Sequence, residues 1–246
     1  MSITSILKRS LEIAKKNPVL FVPMLALTVI VSLLSLVFLG SMVPFFGGMA
    51  GGEAVSSQEA FTAAGAAMGG MFAVLILGSF LGFLAHGMTV AMADDAVKEG
   101  PVSLKTGLNK TLAKIVPLII AAVLVGIIVS VGFILLVIPG IIAAFLLMFT
   151  FMAVMLDNEN GFKALGKSFK MVTGHFSAVF VLFLVLIALG LLSGIISTVV
   201  GMIPILGVVL AIIVSAVYTG YISVFLVLAY RGLEDKTPQE TPEPEV

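Results

Sequence analysis

All thirteen lysines and arginines of this chain fall in four short segments, and long apolar runs separate those segments from one another. Residues 1–16 hold four of them, 94–115 four, 157–175 three and the C-terminal tail two, while the turns that join alternate runs hold none. A chain patterned in this way has few options. An apolar run of about 20 residues forms a helix that crosses a hydrocarbon core of about 30 Å, and inside that core every backbone polar group must bond within the protein. The expected class is therefore all-α, a polytopic membrane protein. Composition agrees, since only 11% of the residues are charged against about a quarter in soluble domains.

The formal net charge is zero, so nothing in the charge balance calls for nucleic acid as a partner. With no cysteine the chain has no disulfide framework, no thiolate chemistry and no Cys-based metal site. The first apolar run is longer than the roughly 7–15 residues of a signal-peptide core and no small-residue cleavage site follows it, so it reads as a retained span. Tryptophan is absent and tyrosine sparse, which leaves lysine to mark the interfaces.

Six spans are expected, over 19–42, 67–93, a run ending near 138, 141–156, 176–200 and 205–230. Residues 43–66 are rich in Gly, Ala and Ser and read as the largest loop. The VIPG stretch at 137–140 reads as a reversal, because proline removes a donor and glycine favours a turn. The fourth span is short, about 24 Å of helix. Before alternate spans lie basic segments with helical periodicity. In 3–16, Ile3, Ile6, Leu7, Leu11, Ile13 and Ala14 oppose Lys8, Arg9, Glu12, Lys15 and Lys16. Between 101 and 117, Leu104, Leu108, Leu112 and Ile115 recur beside Lys105, Lys110 and Lys114. From 162 to 176, Phe162, Leu165, Phe169, Val172 and Phe176 form a stripe opposite Lys163, Lys167 and Lys170. Apolar and basic faces of this kind suit a helix lying on a membrane.

The expected architecture is six transmembrane helices arranged as three hairpins, each preceded by a cytoplasmic amphipathic interfacial helix. Repeat-like units cover about 1–93, 101–156 and 158–230 of one transmembrane domain, and 231–246 reads as a disordered acidic tail. The excess of basic residues on one side puts both termini and the three basic helices in the cytoplasm.

Chemistry is harder to find. The sequence has no GxSxG or HExxH motif and no paired intramembrane carboxylates, and no catalytic residue, metal ligand or cofactor is assigned. Asp157, Glu159 and Asn160 fit helix capping. His86 is an ionisable group inside a span and hence a candidate for function, although a neutral imidazole bonded to a backbone carbonyl or to Ser or Thr of a neighbouring helix is the simpler reading, because one histidine without an intramembrane carboxylate or lysine makes a poor proton relay. With Thr89, Ser130, Ser215, Tyr218 and Thr219 it could line a cavity. Small-residue spacings such as Gly78–Gly82, Gly126–Ser130 and Gly190–Gly194 permit close packing of helices. The residues expected at lipid headgroups are Lys8, Arg9, Lys15, Lys16, Lys105, Lys110, Lys114, Lys163, Lys167 and Lys170.

The stretch LVIPGIIAAFLLMFTFMAVMLDNENGFKALGKSFKMVTGHF, with its Ile138-Pro139-Gly140-Ile141 turn, Asp157, Gly161, Ala164-Leu165, Lys167-Ser168 and Gly174, resembles a broad superfamily of prokaryotic membrane proteins. It is similar to the membrane domain fused to some glycerophosphoryl diester phosphodiesterases and to the YciC-like inner-membrane proteins. The resemblance covers about residues 100–230 and implies a six-span domain of the cytoplasmic (inner) membrane with no catalytic residues of its own. No phosphodiesterase half accompanies it. The expected function is a non-catalytic module that organises membrane lipids or another membrane protein; the alternative is a small transporter or channel for a weakly polar or lipid-like solute.

Overall fold

A computed structural model describes residues 2–50, 56–203 and 206–235, with the backbone alone at 39, 41–50 and 57. Among them the chain is helical throughout, and six apolar helical stretches are long enough to cross a membrane. Helix α1 (Ile3–Lys16) starts where the Ser2 hydroxyl accepts from the Ser5 amide and stops at Asn17-Pro18, where a 3-10 turn (Pro18–Phe21) leads into α2 (Val22–Ala50). Helix α3 (Ser57–Val97) opens with a capping box, the Ser56 hydroxyl accepting from the Glu59 amide while the Glu59 carboxylate accepts from the Ser56 amide. Helices α4 (Leu104–Ala113), α5 (Ile115–Leu135), α6 (Val137–Leu146) and α7 (Thr150–Asp157) follow, and then α8 (Gly161–Gly174), α9 (Phe176–Gly201) and α10 (Leu206–Glu234).

Several expected boundaries move. The loop foreseen at 43–66 is largely helix, taken up by the end of α2 and by α3, and only 51–55 fall outside the described residues. Helix α3 is 41 residues long, about 60 Å at 1.5 Å per residue and about twice a bilayer's hydrocarbon core. The reversal expected at Pro139-Gly140 occurs earlier, at the extended Leu136, and the proline sits in the first turn of α6, where a missing amide donor costs nothing. Glycine matters at that turn for another reason. A Cβ on Gly132 would stand 2.8 Å from the Gly140 Cα, so α5 and α6 meet backbone to backbone beside the turn.

The fourth span is broken as well as short. Helix α6 ends at Leu146, a turn occupies 147–149, and α7 resumes at Thr150. The tail begins later than expected: Arg231 and Glu234 belong to α10, and the rest of the 231–246 segment beyond 235 lies outside the described residues.

Apart from glycines such as Gly132, Gly140 and Gly207 near the helix turns, burial gathers toward one end of the bundle. A single cluster joins Leu20, Val90 to Ala93, Leu118, Phe149, Met152 to Met155, Val172, Val179 and Val224 to Tyr230 (less Leu226), which lie at the start or the finish of their respective spans. The opposite halves stay open. Leu36 is 67% exposed, Ile76 68%, Ile134 83% and Leu191 64%, so apolar side chains there look outward from the protein. Helices α2 with α3, α5 with α6 and α9 with α10 pack closely as pairs, and the α5–α6 pair is joined to the remainder chiefly through α7 and α8.

The small-residue spacings divide on the same geometry. Gly78 faces Val31 and Gly82 faces Leu27 across the α2–α3 contact, whereas among the described residues no neighbouring helix comes within 4 Å of where a Cβ would stand at Gly126 or Gly194. Gly132→Val should therefore lower the thermal stability of the purified protein by about 1–3 kcal/mol through overpacking, while Gly126→Ala should leave it unchanged or slightly raised. Melting followed by the loss of monodisperse elution after heating checks both.

Candidate functional site

Where the buried end of the bundle meets the polar segments, four helices contribute ionised side chains that interlock. The Asp94 carboxylate of α3, 7% exposed, accepts from Arg231 Nε and Nη2 of α10 at 3.2 and 3.1 Å and from Lys98 Nζ at 2.6 Å. Arg231 Nη1 also donates to Glu234 at 3.2 Å and stands 3.7 Å from Asp157 at the end of α7. Asp157 Oδ2 accepts from Lys167 Nζ of α8 at 2.6 Å and from the Tyr230 hydroxyl. Lys167 closes the ring by donating to Glu234 at 2.9 Å.

Charge within this cluster balances, with three carboxylates facing Lys98, Lys167 and Arg231. That balance is a physical requirement, since an unpaired ion in a partly buried setting bears a desolvation cost of several kcal/mol. Burial draws the Lys167 ammonium down, but the hydrogen bonds and charges of Asp157 and Glu234 outweigh it and hold the group above the ordinary lysine range. Lys114, at the foot of α5, moves the other way. Burial and then repulsion from Lys110 lower it, although its ammonium donates to the Met155 carbonyl near the end of α7. Beside it Lys110 pairs with Asp95 and ties α4 to α3.

A second device holds α8 against the broken span. The Ser168 hydroxyl donates to the Leu146 carbonyl at 2.9 Å and accepts from the Phe149 amide at 3.1 Å, so it replaces two backbone partners lost between α6 and α7. Thr150, 2% exposed at the start of α7, has a hydroxyl with no partner among the described residues.

The three short basic helices share one arrangement. Their protein-facing sides are Ile6, Ser10 and Ala14 in α1, Gly107 and Thr111 in α4, and Gly161, Ala164, Ser168, Met171 and Val172 in α8. Other large apolar residues point elsewhere. Leu11 is 46% exposed, Leu112 47%, Phe162 69% and Phe169 49%. Lysines take a further face, at about 100° per residue around the helix. Lys8, Arg9, Lys15, Lys16, Lys105, Lys163 and Lys170 are exposed at these sites, as is the paired Lys110, while Lys114 and Lys167 are half-buried, the first bonded to the Met155 carbonyl and the second held in the cluster. Those last two are thus structural partners, a role their spacing alone did not distinguish.

The six residues considered for a cavity do not converge. His86 is half-buried with its ring centroid 4.6 Å from that of Phe151, and Thr89 is buried with its hydroxyl donating to Ala85 O in its own helix. Thr219 likewise donates to Ser215 O, the Tyr218 hydroxyl lies against Gly190 of α9, and Ser130 and Ser215 are exposed. A cavity of about 640 Å³ does lie between α2 and α3, lined by Thr28, Ser32, Ser35 and Ser79 among apolar residues, and it includes none of the six.

Asp94, Arg231, Glu234 and Tyr230 were not singled out from sequence, and Ser168 only as part of the Lys167-Ser168 pair in the stretch that carries the resemblance. Asp157 was, as a capping group; in the structure it is the shared acceptor of the cluster, and Asn160 alone of that patch caps α8, accepting from the Lys163 amide at 2.9 Å. The signal that could have found them is that acidic residues end two spans and an Arg and a Glu end a third, in a chain that otherwise keeps charge out of its spans. No family model, curated protein or solved structure matches this chain.

Ser168→Ala leaves a buried carbonyl and amide unpaired and should cost about 1–3 kcal/mol. Thr150→Val removes a hydroxyl that has no partner and should be neutral or stabilising. Thermal melts of the two variants in the same detergent make the comparison.

Proposed function

We propose that this protein is a non-catalytic integral membrane module that organises lipids, or a partner protein, at the cytoplasmic face of a prokaryotic inner membrane. Its six spans run as three hairpins, each introduced by an interfacial helix (α1, α4 and α8), in units of about 1–93, 101–156 and 158–230. Both termini and all three basic helices are cytoplasmic, because every lysine and arginine lies on that side.

One observation carries the reading. In each short helix one face is spent on the protein, which leaves a large apolar face (Leu11; Leu104, Leu108 and Leu112; Phe162 and Phe169) exposed and, beside it, a basic face exposed at Lys8, Lys105 and Lys163. Acyl chains suit the first open face and anionic headgroups the second. The outer halves of the spans extend the same theme, since their exposed Leu, Ile, Phe and Val side chains need hydrocarbon around them.

The break between α6 and α7 favours a second reading, transport of a weakly polar or lipid-like solute, because interrupted spans recur at transporter binding sites. Against it, Ser168 already satisfies the backbone groups that the break exposes. Solute flux into liposomes holding the protein separates the two readings.

For lipid organisation, the test is the triple variant Lys8→Gln, Lys105→Gln, Lys163→Gln, which removes one exposed cation from each short helix. Each near-surface lysine contributes about 1 kcal/mol toward an anionic leaflet, so the ratio of anionic to zwitterionic lipid that co-purifies should fall at least about tenfold. An unchanged ratio by lipid mass spectrometry contradicts the proposal.

A further inference from the structure

The interlocked cluster uses its charges on one another. Four other ionisable residues close by do not. Arg9, Glu12 and Lys16 follow each other at three- and four-residue intervals along one face of α1, and Glu99 lies just past the end of α3, where its backbone takes the left-handed conformation (φ 57°). Together they line a cavity of about 420 Å³ between the end of α1 and the end of α3. This volume falls within the roughly 300–1,000 Å³ of small-molecule sites. Among the described residues none of the four forms an ion pair, although two cations and two carboxylates share one hollow, whereas Asp94, Asp95, Asp157, Glu234, Lys98, Lys110, Lys167 and Arg231 are all paired.

Two helix ends add to that field. Both α1 and α3 finish at the cavity, and a helix C-terminus carries roughly half a negative charge. On the α1 side, the Asn17 side chain and backbone amide both donate to the Ile13 carbonyl, which holds that end in place. The hollow therefore offers negative charge, from Glu12, Glu99 and the helix ends, beside positive charge from Arg9 and Lys16, which flank Glu12 along α1. A purely anionic ligand would meet the two carboxylates, and a purely cationic one the two cations. A ligand with both charges on a short tether matches both.

We propose that this cavity binds a phosphoamine, that is, a phosphate joined by a short linker to a primary ammonium, with the phosphate against one of the two cations, Arg9 or Lys16, that flank Glu12, and the ammonium against Glu12 and Glu99. The site deepens the lipid-organising reading and rests on it where the ligand is a lipid headgroup; the same chemistry occurs in free phosphoethanolamine.

Calorimetric titration of the full chain in a neutral detergent tests the site, with short-chain phosphatidylethanolamine, short-chain phosphatidylglycerol and free phosphoethanolamine as probes. The wild-type protein should bind the phosphatidylethanolamine at least tenfold more tightly than the phosphatidylglycerol. Glu12→Gln with Glu99→Gln should erase that preference, and Arg9→Gln with Lys16→Gln should weaken binding of both lipids tenfold or more. If free phosphoethanolamine displaces the lipid, the source is soluble; if only the lipid binds, it is the membrane, and either result upholds the phosphoamine site. Equal wild-type affinities for the two lipids, or a preference that survives loss of both carboxylates, overturns it, and no variant is needed for the first of these. Should that happen while the Lys8, Lys105 and Lys163 triple variant still loses anionic lipid, only the cavity assignment falls.

Discussion

The ring of charge that joins Asp94, Arg231, Asp157, Lys167 and Glu234 is the constraint on which the other features depend. It links α3, α7, α8 and α10 at the end of the bundle where nearly all the fully buried side chains also collect. Apolar association gives spans little reason to stay together inside a bilayer, because lipid tails are as apolar as leucine. A balanced set of ions at the base supplies a directional reason instead. The cost of removing a single member is high, about 3–5 kcal/mol when its partner is left buried and uncompensated. Tyr230 adds to this economy by donating its hydroxyl to Asp157 while its ring packs 5.7 Å from Phe149 in the apolar core.

With the base secured, the remaining halves of the spans can stay open. The α5–α6 pair illustrates it: Gly132 and Gly140 bring its two backbones together, and beyond that contact Ile134, Leu135 and Leu136 are exposed. The short helices at the base each bury one face against the rest of the protein and leave other large apolar residues, such as Leu11, Leu112 and Phe162, exposed. On the proposed reading three surroundings (protein, hydrocarbon and charged headgroup) meet around one helix of ten to fourteen residues. On that same reading α1, α4 and α8 couple the folded base to the lipid around it, and the mixed-charge hollow beside α1 is where that coupling would acquire chemical selectivity.

Much of this was legible in the sequence because its largest signals are one-dimensional. Apolar length is read by summing along the chain, so the six membrane-crossing stretches emerge directly, and Asn17-Pro18 and Asn160 mark helix boundaries through their own backbone chemistry. What did not emerge depends on partners distant in sequence. Asp157 looks like a capping residue until Lys167 and Tyr230 are placed beside it, and Lys167 looks like one of three equivalent surface lysines until α10 brings Glu234 to it. The break at 147–149 was hidden for the same reason, since nothing in the apolar run itself interrupts a helix and its stabilising hydroxyl lies about twenty residues further on. Arg231 was assigned to the tail because the acidic, proline-rich residues after it dominated the local composition.

A double-mutant cycle on Asp157→Asn and Lys167→Gln, with stability measured by thermal denaturation in detergent, tests most directly whether the charge ring holds the base together. The two residues share a hydrogen bond of 2.6 Å at partly buried positions, so a coupling energy of about 1.5–3 kcal/mol is expected, as for a hydrogen bond between charged groups. Additive effects of the two substitutions, with coupling within about 0.5 kcal/mol of zero, would contradict it.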